Sequence, residues 1–398
     1  MTPSSRRWRR TPMHDVIIVG GGIIGLSAAS ALSRSGARVT VVERREIGQE
    51  ASGQNLGFVT LLGQPSGVGL ALVKRGRAIY GDLSEQLDAD IGFKPTGAVY
   101  YGRRGDTDAS FLRNLAPERS RAGLPTELLE GRALREAVPA LAEGIEHGVF
   151  CPDEAQVDNH RVVAALARDA ERHGATIMRR VEATGLIAKG RRVGGIETRG
   201  GPIFADAVIV AASVWSDALC GSVGLRLAIT SRVATVLETV RIPPLIDPLV
   251  FNLGVLLRNP HFASLAPAGT VVPPYVCAGQ MTDGRILLGC PRVEGTAEAT
   301  PTLESIHWIV SELHDALPAL RPVPVARMWA AWVPTSPDLL PLVGRAPGFE
   351  NLFVGGGLSY GNTAGPAIGE LLAKTYRGDP LPDYVTALDP GRASLAAA

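Results

Sequence analysis

The chain has no apolar run approaching the roughly 18 residues that would suggest a membrane-spanning helix. Its net charge of +1 gives no global field to gather nucleic acid or an anionic membrane. The four cysteines, Cys151, Cys220, Cys277 and Cys290, lie far apart with no C-x-x-C, so neither a zinc site nor a disulfide framework is indicated and no metal is expected. A reducing cytoplasm is the expected compartment. The seven histidines are scattered and form no catalytic motif with serine or aspartate. There is no internal repeat and no low-complexity segment. With 45% hydrophobic and 20% charged residues over 398 positions, the composition is that of a soluble globular protein of two or three domains.

Arg6, Arg7, Arg9 and Arg10 surround Trp8 near the start, superficially like a twin-arginine export signal. No separate apolar segment follows, because the next apolar residues already belong to a strand. Residues 1–12 are therefore expected to be a disordered basic arm. Met13 is an alternative start, and the sequence leaves open whether the arm is translated.

The most informative block follows at once. Asp15 to Gly25 runs an apolar strand into Gly-Gly-Gly-Ile-Ile-Gly, then a helix of small residues, then the strand Arg38 to Glu43. Gly20, Gly22 and Gly25 have the G-x-G-x-x-G spacing: the first for the tight turn, the second for close approach of a pyrophosphate, the third for packing of helix on strand. The pyrophosphate would sit on the helix N-terminus beside Ile23 and Ile24, where unpaired N–H groups and the dipole favour an anion. Glu43, ending the second strand, is placed to accept ribose hydroxyls and to repel the extra phosphate of NADP. Strand, turn, helix, strand and acid in this order predict a dinucleotide site.

Further along, Gly48 to Gly57 is rich in small and amide residues and is unlike a second crossover. Helical spacing covers about 67–89 and His160 to His173, with strands at Gly97 to Tyr101 and Ala207 to Ala211. Between about 216 and 326 longer strands and proline pairs predict a largely antiparallel sheet with one helix, Leu303 to Leu317. The strand Asn351 to Val354 then enters the glycine-rich turn 355–365, with a helix expected from Pro366 to Tyr376.

Four blocks together resemble the flavoprotein family of D-amino acid, glycine and sarcosine oxidases and their dehydrogenase relatives. They are Val16 to Glu43, Ala51 to Gly57, Ala205 to Trp215, and Trp329 to Gly344 with the glycine turn after it. The resemblance implies a discontinuous Rossmann-like FAD-binding domain of the glutathione-reductase-like class (13–75, 150–215 and 327–398). It also implies an α+β substrate domain with a mainly antiparallel sheet (76–149 and 216–326). It assigns to non-covalently bound FAD the residues Gly20, Gly22, Ile23, Ile24, Gly25, Glu43, Arg44, Ser52, Gln54, Asn55, Leu56, Gly57, Val181, Ala212, Trp215 and Gly357, Leu358, Ser359, Tyr360, Gly361, Asn362 and Thr363. Ser213 stands where the family usually has glycine, and Ala331 where some relatives have a flavin-linking cysteine.

The resemblance also locates a substrate pocket. Many relatives grip the substrate carboxylate with an arginine that corresponds to Val333 here; a second, in glycine oxidases, corresponds to Ser359, and a tyrosine to Cys277. Arg327, Arg258 and Arg292 are the candidate replacements, and Trp329, Trp332, Tyr360 and Tyr275 the candidate walls of an amine pocket. The activity implied is FAD-dependent oxidation of the C–N bond of an amino acid, imino acid or secondary amine, to dioxygen or an unknown carrier. The rival readings are a flavin monooxygenase using NAD(P)H, disfavoured because Gly356-Gly357-Leu358 lacks the usual aspartate, and an FAD-carrying subunit of a multi-subunit opine or proline dehydrogenase. A homo-oligomer is compatible with either.

Overall fold

A computed structural model describes residues 14–294 and 298–395; the arm expected at 1–12 lies outside them. The strand His14–Val19 is the centre of the first sheet. It pairs in parallel with Val39–Glu43 on one side and Ile203–Val210 on the other, with Thr176–Arg179 and Leu352–Gly356 flanking in parallel and Leu342–Arg345 closing one edge antiparallel. Such a buried parallel sheet needs near-continuous apolar strands. Val16, Ile17 and Ile18, with no exposed surface, supply one. The helices Ile23–Arg34, Asn159–Arg172 and Gly361–Arg377 pack together, and a fully buried Asp169 locks the first two by accepting from Ser30 and Arg34. The hairpin Ala183–Lys189 and Arg192–Thr198 extends from the strand Ile203–Val210.

The last of these helices corrects the sequence expectation. It begins at Gly361 rather than Pro366, and Pro366 lies inside it. A mid-helix proline cannot donate to the carbonyl four residues back. Here that carbonyl, Asn362, instead accepts from the Tyr80 hydroxyl at 2.8 Å. Tyr80 comes from the helix Val68–Leu87, so a tertiary contact supplies what the local sequence lacks.

The second sheet has eight strands in the order Val325–Thr335, Thr230–Thr239, Ile286–Glu294, Cys277–Gln280, Leu249–Asn252, Ala98–Gly102, His147–Cys151 and Glu127–Glu130. Every pairing is antiparallel except Leu249–Asn252 with Ala98–Gly102. The helix Leu303–Ala316 buries Ile309, Leu313 and Ala316 against it. The helix Gly105–Arg121 has no counterpart in the sequence expectation, because charged residues and Pro117 mask its buried Phe111, Leu112 and Leu115. The divisions expected at 150 and 327 each run through a strand of this sheet.

Candidate active site

A cavity of about 1310 Å³ runs from the end of the first sheet to the face of the second. One end is the glycine turn. Gly20 has φ +115°, and a β-carbon on it would lie 2.4 Å from the Ala211 carbonyl; one on Gly25 would lie 2.0 Å from the Gly20 carbonyl. Only glycine permits this packing of turn, helix and neighbouring strand. Gly22, Ile23 and Ile24 line the cavity at the helix N-terminus, where the Ile23 N–H donates to the Ser52 hydroxyl at 2.9 Å. The Glu43 carboxylate is fixed by the Gly21 and Arg45 N–H groups at 2.8 and 2.9 Å. Arg44 pairs with Glu50 and stacks 3.5 Å from the centre of the Trp215 ring.

The middle of the cavity is formed by Gln54, Asn55 and Leu56 on one side and by Leu358, Ser359, Tyr360, Gly361, Asn362 and Thr363 on the other. Thr363 is fully buried, and its hydroxyl accepts from the Thr60 N–H at 2.9 Å. Three buried polar atoms of the lining have no partner among the described residues: the Asn362 Oδ1, the Ser213 hydroxyl and, at the far end, the Arg292 Nε. Buried polar atoms left unpaired cost energy unless a ligand satisfies them. Ser213 has φ +56°, which explains why glycine suits that position. Tyr360 donates to the Leu339 carbonyl at 3.3 Å, and burial pushes its phenol pKa up.

The far end is aromatic. Tyr100 stacks on Phe251 at 4.7 Å and Phe251 faces Tyr275 at 6.4 Å, with Phe58 edge-on to Phe251. Trp332, Val333, Tyr275, Arg292, Arg258 and Arg232 also line this end. The Arg292 guanidinium lies 5.4 Å from the centre of the Tyr275 ring, its Nε is buried without a hydrogen-bond partner, and among the described residues no carboxylate pairs with it. The Cys290 thiol beside it has its pKa drawn down, chiefly by the hydrogen bond from Cys277 and further by the Arg292 charge. Beneath Tyr100 the carboxyl of Glu154 is fully buried. It accepts from the Tyr100 hydroxyl at 3.0 Å and from the Leu61 and Leu62 N–H groups, and burial raises its pKa to about 7.

Several of the residues expected at the site do not line this cavity. Arg327 does not reach this cavity: it makes a bidentate pair with Glu238, at 2.8 and 2.9 Å, and lines a separate cavity of about 440 Å³ behind the Gln54 to Gly57 loop. Trp329 lines that second cavity too, its indole donating to the Gln54 carbonyl at 2.8 Å. The strand passes under the loop, so residues early in it lie behind the wall and Trp332 and Val333 in front. Cys277 is buried behind Tyr275 and does not line the cavity. Val181 is also outside it, its N–H being spent on the Glu43 carbonyl. Gly25, Gly57 and Gly357 support the walls without lining them.

Sequence reasoning missed Arg232. In the ladder it stands directly opposite Val333, and its near neighbour Ala234 stands opposite Arg292. Directly opposed residues share a face, so Arg232, Arg292 and Val333 project together. The signal was present only as strand register. Arg232 is paired with the exposed Glu294 at 2.8 Å, a surface bridge worth little.

Comparison with known proteins matches this picture. The model of the DAO family, FAD dependent oxidoreductase, covers residues 15–375. The chain is 29% identical over 379 residues to a glycine oxidase from Pseudomonas aeruginosa, with 92% of this chain and 97% of that protein aligned. It is 28% identical to a glycine oxidase from Pseudomonas putida, with 85% and 88% aligned. The crystal structure of glycine oxidase from Geobacillus kaustophilus superposes with a TM-score of 0.85 over 96% of this chain and 99% of that one, at 23% identity, a likeness of fold. The residues present fit FAD: a helix N-terminus for its pyrophosphate, a fixed carboxylate at Glu43 for a ribose, and unpaired Asn362 and Ser213 oxygens along the wall between. No helix of the described residues is long and apolar enough to cross a membrane. The chain belongs to the DAO family of FAD-dependent oxidoreductases.

Proposed function

We propose that this chain oxidises the C–N bond of an amino acid or imino acid and that Arg292 holds the substrate carboxylate. FAD, when bound, supplies the hydride acceptor. The observation that carries the reading is the Arg292 guanidinium, lining the cavity with its Nε buried and unpaired against the Tyr275 ring. A carboxylate accepting from it would satisfy both the charge and the orphan donor. It would take the role that the arginine at the position of Val333 has in relatives.

The remaining walls do simpler work. Tyr275, Phe251, Phe58 and Trp332 exclude water and fix the substrate body, so that alignment rather than a dedicated base carries the reaction. The substrate amine must lose its proton before the C–H bond breaks; the imine so formed leaves for water, where it hydrolyses. FAD is held without a covalent bond: Ala331 offers no nucleophile, and residues 51–57 include neither histidine nor cysteine. Anaerobic mixing of the FAD-loaded protein with amino acids, imino acids and carboxylate-free amines tests the reading. Bleaching by the acids, lost in Arg292→Met, is the expected result, whereas bleaching that is equally fast without a carboxylate would overturn it.

A further inference from the structure

Arg292 is not the sole cation at the substrate end. Arg258 lines the same cavity at its exposed mouth, and among the described residues its guanidinium makes one hydrogen bond, a long one of 3.3 Å to the neutral carbonyl of Pro273. Among the described residues it too has no carboxylate partner. The two guanidiniums are anchored to one short segment, Arg258 on Pro273 and Arg292 over Tyr275.

That segment is rigidly tied. The Asn252 side chain donates to the Pro274 carbonyl at 2.8 Å and accepts from the N–H groups of Gly254 and Val276 at 3.0 and 3.1 Å. Gly254 packs so tightly that a β-carbon there would lie 2.6 Å from the Pro274 carbonyl. The short helix Gly254–Leu257, which ends at Arg258, is therefore fixed relative to Tyr275 and Arg292. Two like charges facing one cavity, neither paired with a carboxylate among the described residues, repel each other and favour a ligand that brings two negative charges.

We propose that the substrate is a dicarboxylic amino or imino acid, one carboxylate lying deep on Arg292 and the second at the cavity mouth on Arg258. This rests on the reading of Arg292 given above and adds the second charge. Arg232, already bridged to Glu294, is not needed for it.

Calorimetric titration of the FAD-loaded protein with unreactive acids tests the proposal without turnover. Malonate, succinate and glutarate would be compared with acetate, propionate and butyrate. At least one dicarboxylate should bind tenfold or more tightly than every monocarboxylate in the set. Arg258→Met, a change at an exposed position, should bring that ratio close to one, and Arg258→Lys should restore part of it. Equal affinities in the parent protein, no dicarboxylate binding at all, or a ratio unchanged in Arg258→Met would each overturn the proposal. The two readings fail separately. A flavin that no amine bleaches would refute C–N oxidation while leaving the binding ratio intact, and amine bleaching with equal affinities would overturn the dicarboxylate assignment alone.

Discussion

Replacing Glu154 by glutamine should change how stability depends on pH, and by a predictable amount. The carboxyl is fully buried, and burial lifts its pKa from 4.5 to about 7 against the hydrogen bonds from Leu62, Leu61 and Tyr100 that oppose the rise. A carboxyl with a raised folded-state pKa keeps its proton where the unfolded chain has lost it. Its contribution to stability therefore falls as pH rises from about 4.5 to about 7 and is constant above that window. At about 1.4 kcal/mol for each pH unit, the fall amounts to about 3 kcal/mol. Glutamine keeps an acceptor for the Leu61 and Leu62 N–H groups and does not titrate. Urea unfolding of both proteins across pH 4.5 to 8, with FAD in fixed excess, gives the difference in stability, and every other titrating group cancels from it. That difference should move by about 3 kcal/mol in favour of the glutamine variant as pH rises. A difference that stays flat would refute the reasoning, and would mean that water or a cation reaches Glu154.

Four further outcomes follow from the same structure. Arg292→Met should lower the rate constant for flavin reduction per unit concentration by about 100-fold with carboxylate substrates, the cost of about 3 kcal/mol for a charge-assisted pair, and leave carboxylate-free amines unaffected in stopped-flow assays. Gly25→Ala places a methyl group 2.0 Å from the Gly20 carbonyl, so the purified variant should carry little FAD by absorbance while keeping a cooperative unfolding transition. Glu238→Gln, which weakens the hold on Arg327 and Arg285 behind the loop wall, should leave flavin reduction within about threefold of the parent, a change below about 1 kcal/mol. Asp338 accepts from Arg392, Ser394 and the Leu340 N–H, and Arg392 first among these partners keeps its carboxyl well below the usual range. Asp338→Asn should cost about 2–4 kcal/mol above pH 4, with the gap narrowing as acid protonates the parent carboxylate.

The two ends of the cavity differ in how far the sequence revealed them. The cofactor end is built by local rules: an apolar strand, a glycine turn and a small-residue helix follow one another in the chain, so their spacing in sequence is their spacing in space. Nothing local placed Arg232 opposite Val333, because register between Thr230–Thr239 and Val325–Thr335 is set by the whole sheet. Arg327 and Trp329 share a strand with Trp332, yet a loop more than 270 positions earlier separates them from it. The start of the helix Gly361–Arg377 was hidden for a similar reason, since the hydroxyl that makes Pro366 tolerable belongs to Tyr80. Tertiary partners, rather than propensity, decided each of these.

The measurement that tests the central claim most directly is the visible spectrum of the purified chain, recorded before and after anaerobic addition of amino and imino acids. Flavin bands released by acid and bleached by a carboxylate-bearing amine, with the bleaching lost in Arg292→Met, are the predicted result. A protein that shows no flavin bands even after reconstitution with FAD, or whose flavin no amine reduces, would contradict the account.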